Sequence, residues 1–399
     1  MLKIQASTRR QHLREFTLLF VANTLVNMST FAVFALSPRF LSIESFAALS
    51  LASSSCQILN AVLDLGLNTT ALTKFSDRQD QRFLNTLISI KGAMLAAALL
   101  LTPVALLAGP VELYAFVLIS GAAVNFWTAM RTVDQAQQNF RAYATANMAF
   151  AMVRLLVGCA ALLTGVWQSV MAGVFIAPVL CLGVIEFRRL KSRLTFPAMA
   201  TVREMFAYSK LVAVSGLCFL LLPYLPQYVI FARLSALEVS TYGIVLVYIG
   251  PLSLLIFSLR SYLLPKVCAD DKLMEGTAVL SWVILGGLAV ALGLCGLSLV
   301  LGYLYAYRYP ELPASFAVFS LCYVLTAFAG FFNMRLYPRG LVAYELAINA
   351  ARLGISALLL FLWGRTLLEI VLLSSATMAV GELCLLFAVR RAVAPCASR

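Results

Sequence analysis

Two arginines stand where the surrounding sequence makes an arginine expensive. Arg154 and Arg352 each lie about 12 residues into a long apolar run, about 18 Å along a helix and near the middle of a bilayer. A guanidinium there costs roughly 2.5–3.5 kcal/mol on insertion scales and faces a partner or a water-filled cavity. Its planar fork suits the oxygens of an anion such as phosphate. The two positions look like equivalents in an internal repeat, with Val153-Arg154-Leu155 matching Ala351-Arg352-Leu353. One reading is that the pair binds an anionic substrate. The other is interhelical ion pairing, with Glu345, Glu382 and Asp64 as candidate partners. Glu345 precedes Arg352 by seven residues, on the same helix face but two turns away.

Other polar residues inside apolar runs divide in the same way. Lys91, about 8 residues into its run, adds positive charge to a cavity or snorkels to the interface. Asp64 is a proton or cation site, a gate pairing with Arg260, or a packing hydrogen bond. Glu382 allows the same alternatives. Asn23 and Asn27 share a helix face at i and i+4, and Asn60 and Asp64 repeat that spacing. With Gln227 and Tyr224 they either line a hydrophilic cavity or hydrogen-bond between helices. Pro223, Pro226 and Pro251 interrupt apolar runs, as hinges or as static bends.

The elements that hold these residues must span a membrane. The chain has 399 residues, 62% hydrophobic and 12% charged, against about a quarter charged in a soluble domain. No polar stretch is long enough for a soluble domain. The net charge of +13 does not indicate a nucleic-acid partner, because the basic residues are scattered through short loops, as topology signals and lipid contacts. Most of the nine cysteines fall inside apolar runs with no C-x-x-C spacing, so they read as small buried hydrophobes. His12 is the single histidine, in the basic N-terminal flank. Histidine-based catalysis or metal ligation inside the membrane is excluded, and no metal or cofactor is expected.

A span needs about 20 apolar residues. The qualifying runs number twelve, at roughly 16–37, 45–73, 83–107, 111–131, 142–165, 167–187, 206–231, 239–263, 277–304, 313–334, 340–363 and 366–389. The first is too long for a cleaved signal peptide and reads as a retained span. The stretch Arg188 to Thr201 is the linker, with Pro197 marking a non-helical segment. The expected fold is all-α: an N-terminal six-helix bundle (1–187), a cytoplasmic linker (188–203) and a C-terminal six-helix bundle (204–399). Lysine and arginine crowd one set of loops, and Arg39, Arg233, Arg308 and Arg365 stand alone in the other. By the positive-inside rule both termini are cytoplasmic. Trp127, Trp167, Trp282 and Trp363 fall near predicted span ends, as an interfacial belt would.

The two halves repeat a hairpin. Leu13-Arg14-Glu15-Phe16 is echoed by Val202-Arg203-Glu204-Met205. The turn Arg39-Phe40-Leu41-Ser42-Ile43-Glu44 is echoed by Arg233-Leu234-Ser235-Ala236-Leu237-Glu238. Leu63-Asp64-Leu65-Gly66-Leu67 comes near the close of the second run, and Gln138-Asn139-Phe140-Arg141-Ala142-Tyr143 leads into the fifth. Leu263-Leu264-Pro265-Lys266 closes the eighth. This order of motifs resembles the Wzx-type oligosaccharide flippases of the multidrug/oligosaccharidyl-lipid/polysaccharide exporter superfamily, over most of the chain. The chain departs from the family in its compactness, with minimal loops.

The resemblance implies two six-helix bundles around a central cavity, alternating access, and an undecaprenyl-diphosphate-linked oligosaccharide flipped across a bacterial inner membrane. Arg154, Arg352, Lys91, Asn23, Asn27, Asn60, Gln227 and Arg260 would then contact substrate, and Asp64, Glu345 and Glu382 would couple or gate. The implied partners are the lipid-linked substrate, membrane lipids and other polysaccharide-assembly proteins. Two alternatives remain: a cation-coupled drug exporter of the same superfamily, and a polytopic polysaccharide polymerase or glycosyltransferase. The short predicted outer loops and the single histidine argue against an enzyme.

Overall fold

The computed structural model describes residues 2–78, 80–107, 112–269, 277–305, 307–333 and 342–393. Regular structure among them is helical: α1 (Leu2–Phe40), α2 (Ile43–Asp64), α3 (Leu67–Arg78), α4 (Gln81–Leu107), α5 (Glu112–Ala136), α6 (Phe140–Leu162) and α7 (Trp167–Met171). A π-helix (Ala172–Ile176), α8 (Ala177–Leu190) and a 3-10 turn (Lys191–Arg193) follow, then α9 (Met199–Arg233), α10 (Ala236–Ala269), α11 (Thr277–Tyr305), α12 (Leu312–Asn333), α13 (Val342–Trp363) and α14 (Leu367–Val393). Among the described residues, ten stretches are long and apolar enough to cross a membrane. Two shorter apolar helices, Ala236–Leu252 and Leu312–Phe328, stand at the remaining two predicted runs. The fold class is therefore an all-α polytopic membrane protein.

Helix ends follow local chemistry. Ser42 accepts the Ser45 amide at 3.1 Å and starts α2. Glu238 accepts the Ser235 amide at 3.0 Å in the repeat-related turn, and Glu369 accepts the Thr366 amide at 3.1 Å at the start of α14. Each pairing satisfies amides that have no intrahelical acceptor. Pro38 lies inside α1, which runs on to Phe40, although a proline donates no backbone hydrogen bond there.

Two predicted spans are interrupted. The second breaks after Asp64, where Leu65 (φ 48°) and Gly66 (φ 69°) are both left-handed. A Cβ on Gly66 would come within 3.2 Å of the Ser209 carbonyl oxygen in α9, so glycine serves both the backbone turn and the close approach. The sixth carries the π-helix. By contrast α9 runs unbroken through Pro223 and Pro226, and α10 runs through Pro251.

The chain divides into two compact units, Met1–Leu217 and Cys218–Arg399. In the first, α1 packs on α6, and both α2 and α4 pack on α5. Gly158 lets α6 approach α1, since a Cβ there would lie 2.8 Å from Val33. Trp127 is not part of an interfacial belt. It is buried, stacked on Phe150 with ring centroids 4.6 Å apart. Pro197 lies in the non-helical segment 194–198 as predicted. This linker is fastened to α4: Ser89 Oγ donates to the Thr195 carbonyl at 2.7 Å and accepts the Thr195 amide at 3.1 Å. Lys74 pairs with Glu204 at 3.2 Å, and Met205 is buried in one apolar cluster with Leu67, Leu84, Trp127 and Phe150. The start of α9 therefore belongs to the first unit.

In the second unit α14 packs on α12 and α13, and α11 packs on α12. Arg233 donates to the carbonyls of Leu360, Phe361 and Gly364 and so caps the end of α13. Of the described cysteines, Cys56 is buried, while Cys181, Cys295 and Cys384 are exposed on their helices. The expectation of buried cysteines fails at those three, because a lipid-facing surface tolerates the same apolar side chains as a core.

Candidate functional site

Arg154 sits midway along α6, facing α1 and the π-helix. A π-turn takes carbonyls off the regular i→i−4 ladder, and the Val174 carbonyl accepts Arg154 Nε at 2.9 Å. Nη1 donates to Thr30 Oγ1 at 2.6 Å and the Val26 carbonyl at 3.3 Å. The guanidinium carbon lies 4.5 Å from the Phe150 ring centroid and 5.8 Å from that of Phe175. The residue is 6% exposed. These partners are all neutral, and Nη2 takes part in none of the bonds. Among the described residues no carboxylate pairs with Arg154.

Arg352 is held differently. Its Nη1 meets Asn349 Oδ1 at 3.0 Å and Glu382 Oε1 at 3.3 Å, and Nη2 donates to the Met378 carbonyl at 2.7 Å. It is 4% exposed. Its stem crosses Gly381, where a Cβ would lie 2.1 Å from Arg352 Cδ. Both arginines thus reach a backbone carbonyl in the last helical span of their own unit. Arg352 is charge-compensated, and of its three candidate partners Glu382 is the one within salt-bridge distance. Glu345 is half-buried on α13.

Lys91 and Asp64 are brought together. Lys91 does not snorkel: it is 1% exposed, and its Nζ donates to the Leu63 carbonyl at 2.8 Å and to Asp64 Oδ1 at 3.1 Å. Asp64 therefore has Lys91 as its ion-pair partner. The side chain of Arg260, the other suggested partner, lies outside the described residues. Asn23 Oδ1 accepts from Tyr143 Oη at 2.9 Å and from Asn147 Nδ2 at 3.4 Å, and Asn27 bonds back to the Asn23 carbonyl at 2.8 Å. Asn60 accepts from Asn125 Nδ2, at 2.9 Å on its carbonyl and 3.0 Å on Oδ1. Gln227 is fully buried in α9.

A four-residue charge cluster was not foreseen. Arg131 pairs with Asp134 at 3.0 Å and with Glu186, while Arg189 pairs with Asp134 at 2.6 Å and Glu186 at 2.8 Å. The Arg131 guanidinium also lies 4.6 Å over Trp127. The cluster ties α5 to α8 and is neutral overall. Its signal was available, as two oppositely charged i, i+3 pairs closing the fourth and sixth runs. A positive-inside count weighs only the basic residues near span ends, so the carboxylates paired with Arg131 and Arg189 leave no mark in it.

No protein-family model matches the chain, and no curated protein matches it by sequence. Solved structures do resemble it. An inward-facing multidrug resistance MATE family transporter of the MOP superfamily aligns with TM-score 0.65 and 12% identity, over 93% of this chain and 96% of that one. An outward-facing one aligns with TM-score 0.60 and 12% identity, over 95% of each chain. A MOP superfamily transporter from Pyrococcus furiosus Vc1 (DSM3638), described by a binding pocket of reverse polarity that suggests a different function, aligns with TM-score 0.62 and 14% identity, over 95% of each. At these identities the likeness is one of architecture: the chain has the fold of the MATE transporters of the MOP superfamily.

Proposed function

We propose that this protein is a carrier that flips an undecaprenyl-diphosphate-linked oligosaccharide across the bacterial inner membrane by alternating access, with both termini cytoplasmic. The observation that carries the reading is the uncompensated charge of Arg154, a buried guanidinium whose bonded partners are all neutral. Such a cation sets a positive potential in a low-dielectric region, which favours an anionic headgroup over a cationic drug. Nη2 remains as a donor to a phosphate oxygen. Alternating access is supported by neighbours of the same fold named as inward-facing and outward-facing. A neighbour of the same fold is described by a binding pocket of reverse polarity that suggests a different function, and a cationic site at Arg154 fits a fold whose pockets differ in polarity.

Coupled drug export is the second reading. It is favoured by the multidrug resistance names of two neighbours and by Asp64, whose side chain keeps 25% of its surface exposed. Deleting the gene and assaying the sidedness of lipid-linked oligosaccharide separates the two. The flippase reading requires the intermediate to accumulate on the cytoplasmic face with loss of surface polysaccharide. Unchanged sidedness in a host without a redundant carrier, together with drug sensitivity, would establish the exporter instead.

A further inference from the structure

The break between α2 and α3 is built around a cation. Leu65 and Gly66 leave the right-handed helix, so the last carbonyls of α2 lose their intrahelical donors. They also carry the negative end of the helix dipole. Asp64 adds a carboxylate at that point. Its Oδ1 accepts the Asn68 amide at 3.4 Å, which holds the anion to both sides of the break. The Lys91 ammonium lies between the Leu63 carbonyl and Asp64 Oδ1, with no side-chain surface exposed, while the Asp64 side chain keeps 25%. A compact, strongly hydrated point charge on a flexible stem has replaced its water with a carbonyl oxygen and a carboxylate oxygen.

We propose that Leu63 and Asp64 form a monovalent-cation seat that the chain fills with its own ammonium. The turn then carries its positive charge without Na+, K+ or an amine drawn from solution. The seat is preformed, since the helix break and the Asn68 contact fix both oxygens independently of the lysine. Its exposed edge at Asp64 is the route by which a small cation would enter once the lysine is removed.

The test uses the full-length protein purified in detergent. Thermal unfolding is followed against NaCl, KCl and methylammonium chloride at ionic strength held constant with choline chloride. Wild type should show no dependence on which cation is present. Lys91→Ala should unfold at lower temperature and recover in a saturable way with at least one small cation. Lys91→Met, which fills the space without charge, should be destabilised and unresponsive. The double variant Lys91→Ala with Asp64→Asn should also be unresponsive. If Lys91→Ala cannot be purified as a monodisperse protein, purification in the presence of methylammonium or a small metal cation should restore it. The proposal is overturned if wild type shows the same saturable response, if Lys91→Met responds like Lys91→Ala, or if no cation affects Lys91→Ala.

Discussion

At the scale of single residues, the two arginines predicted as a matched pair are matched in place and unmatched in charge. Both donate to the last span of their unit, but only Arg352 has a carboxylate, Glu382. Breaking a buried pair by removing one partner costs about 3–5 kcal/mol, because the other charge stays buried. Glu382→Ala should therefore destabilise the protein by about that amount, read as a lowered unfolding temperature, with Glu382→Gln intermediate. Gly381→Ala should reproduce much of the defect without touching a charge, because its Cβ would meet Arg352 Cδ at 2.1 Å. Wild-type stability in Gly381→Ala would show that the Arg352 stem takes another path. The sequence made Arg352 legible through its depth and Glu382 through its sign. It could not show that glycine had to lie beneath the guanidinium, because that depends on the rotation of α14 against α13.

At the scale of elements, hydropathy located the helices and missed their interruptions. A run of apolar residues reads the same whether or not the chain steps out of the helix for two residues. Nothing in Leu63-Asp64-Leu65-Gly66-Leu67 except Gly66 indicates a break, and Leu65 itself is left-handed against its preference. Gly66→Val should cost about 1–3 kcal/mol through backbone strain alone, with a further penalty from the Ser209 carbonyl. Unfolding temperature checks it, and a neutral result would mean that the left-handed turn is absent. The π-helix is equally silent in the sequence, yet it supplies the Val174 carbonyl to Arg154. The Arg131, Asp134, Glu186 and Arg189 cluster joins α5 to α8 where the loop reading saw topology signals. Asp134→Ala leaves two arginines facing one glutamate, and should destabilise the first unit more than Asp134→Asn does.

At the scale of the whole molecule, composition and the spacing of the apolar runs were enough for an all-α polytopic protein. Substrate identity was not legible in them, since solved proteins named as multidrug transporters share this fold at 12% identity. The predicted topology requires reporters fused after Lys191 and after Arg365 to report opposite sides of the membrane, and the same side from both would overturn it.

The central claim is that an anionic lipid-linked sugar crosses with the help of Arg154, and reconstitution tests it most directly. Purified protein in proteoliposomes carries an undecaprenyl-diphosphate oligosaccharide, and the fraction exposed on the outer leaflet is followed over time. Wild type should move the substrate. Arg154→Ala should slow it about 10- to 100-fold at matched protein level, the range for losing a charge-assisted hydrogen bond of about 1.5–3 kcal/mol, and Arg154→Lys should retain part of the rate. No movement above protein-free liposomes, or equal rates for wild type and Arg154→Ala, would contradict the account.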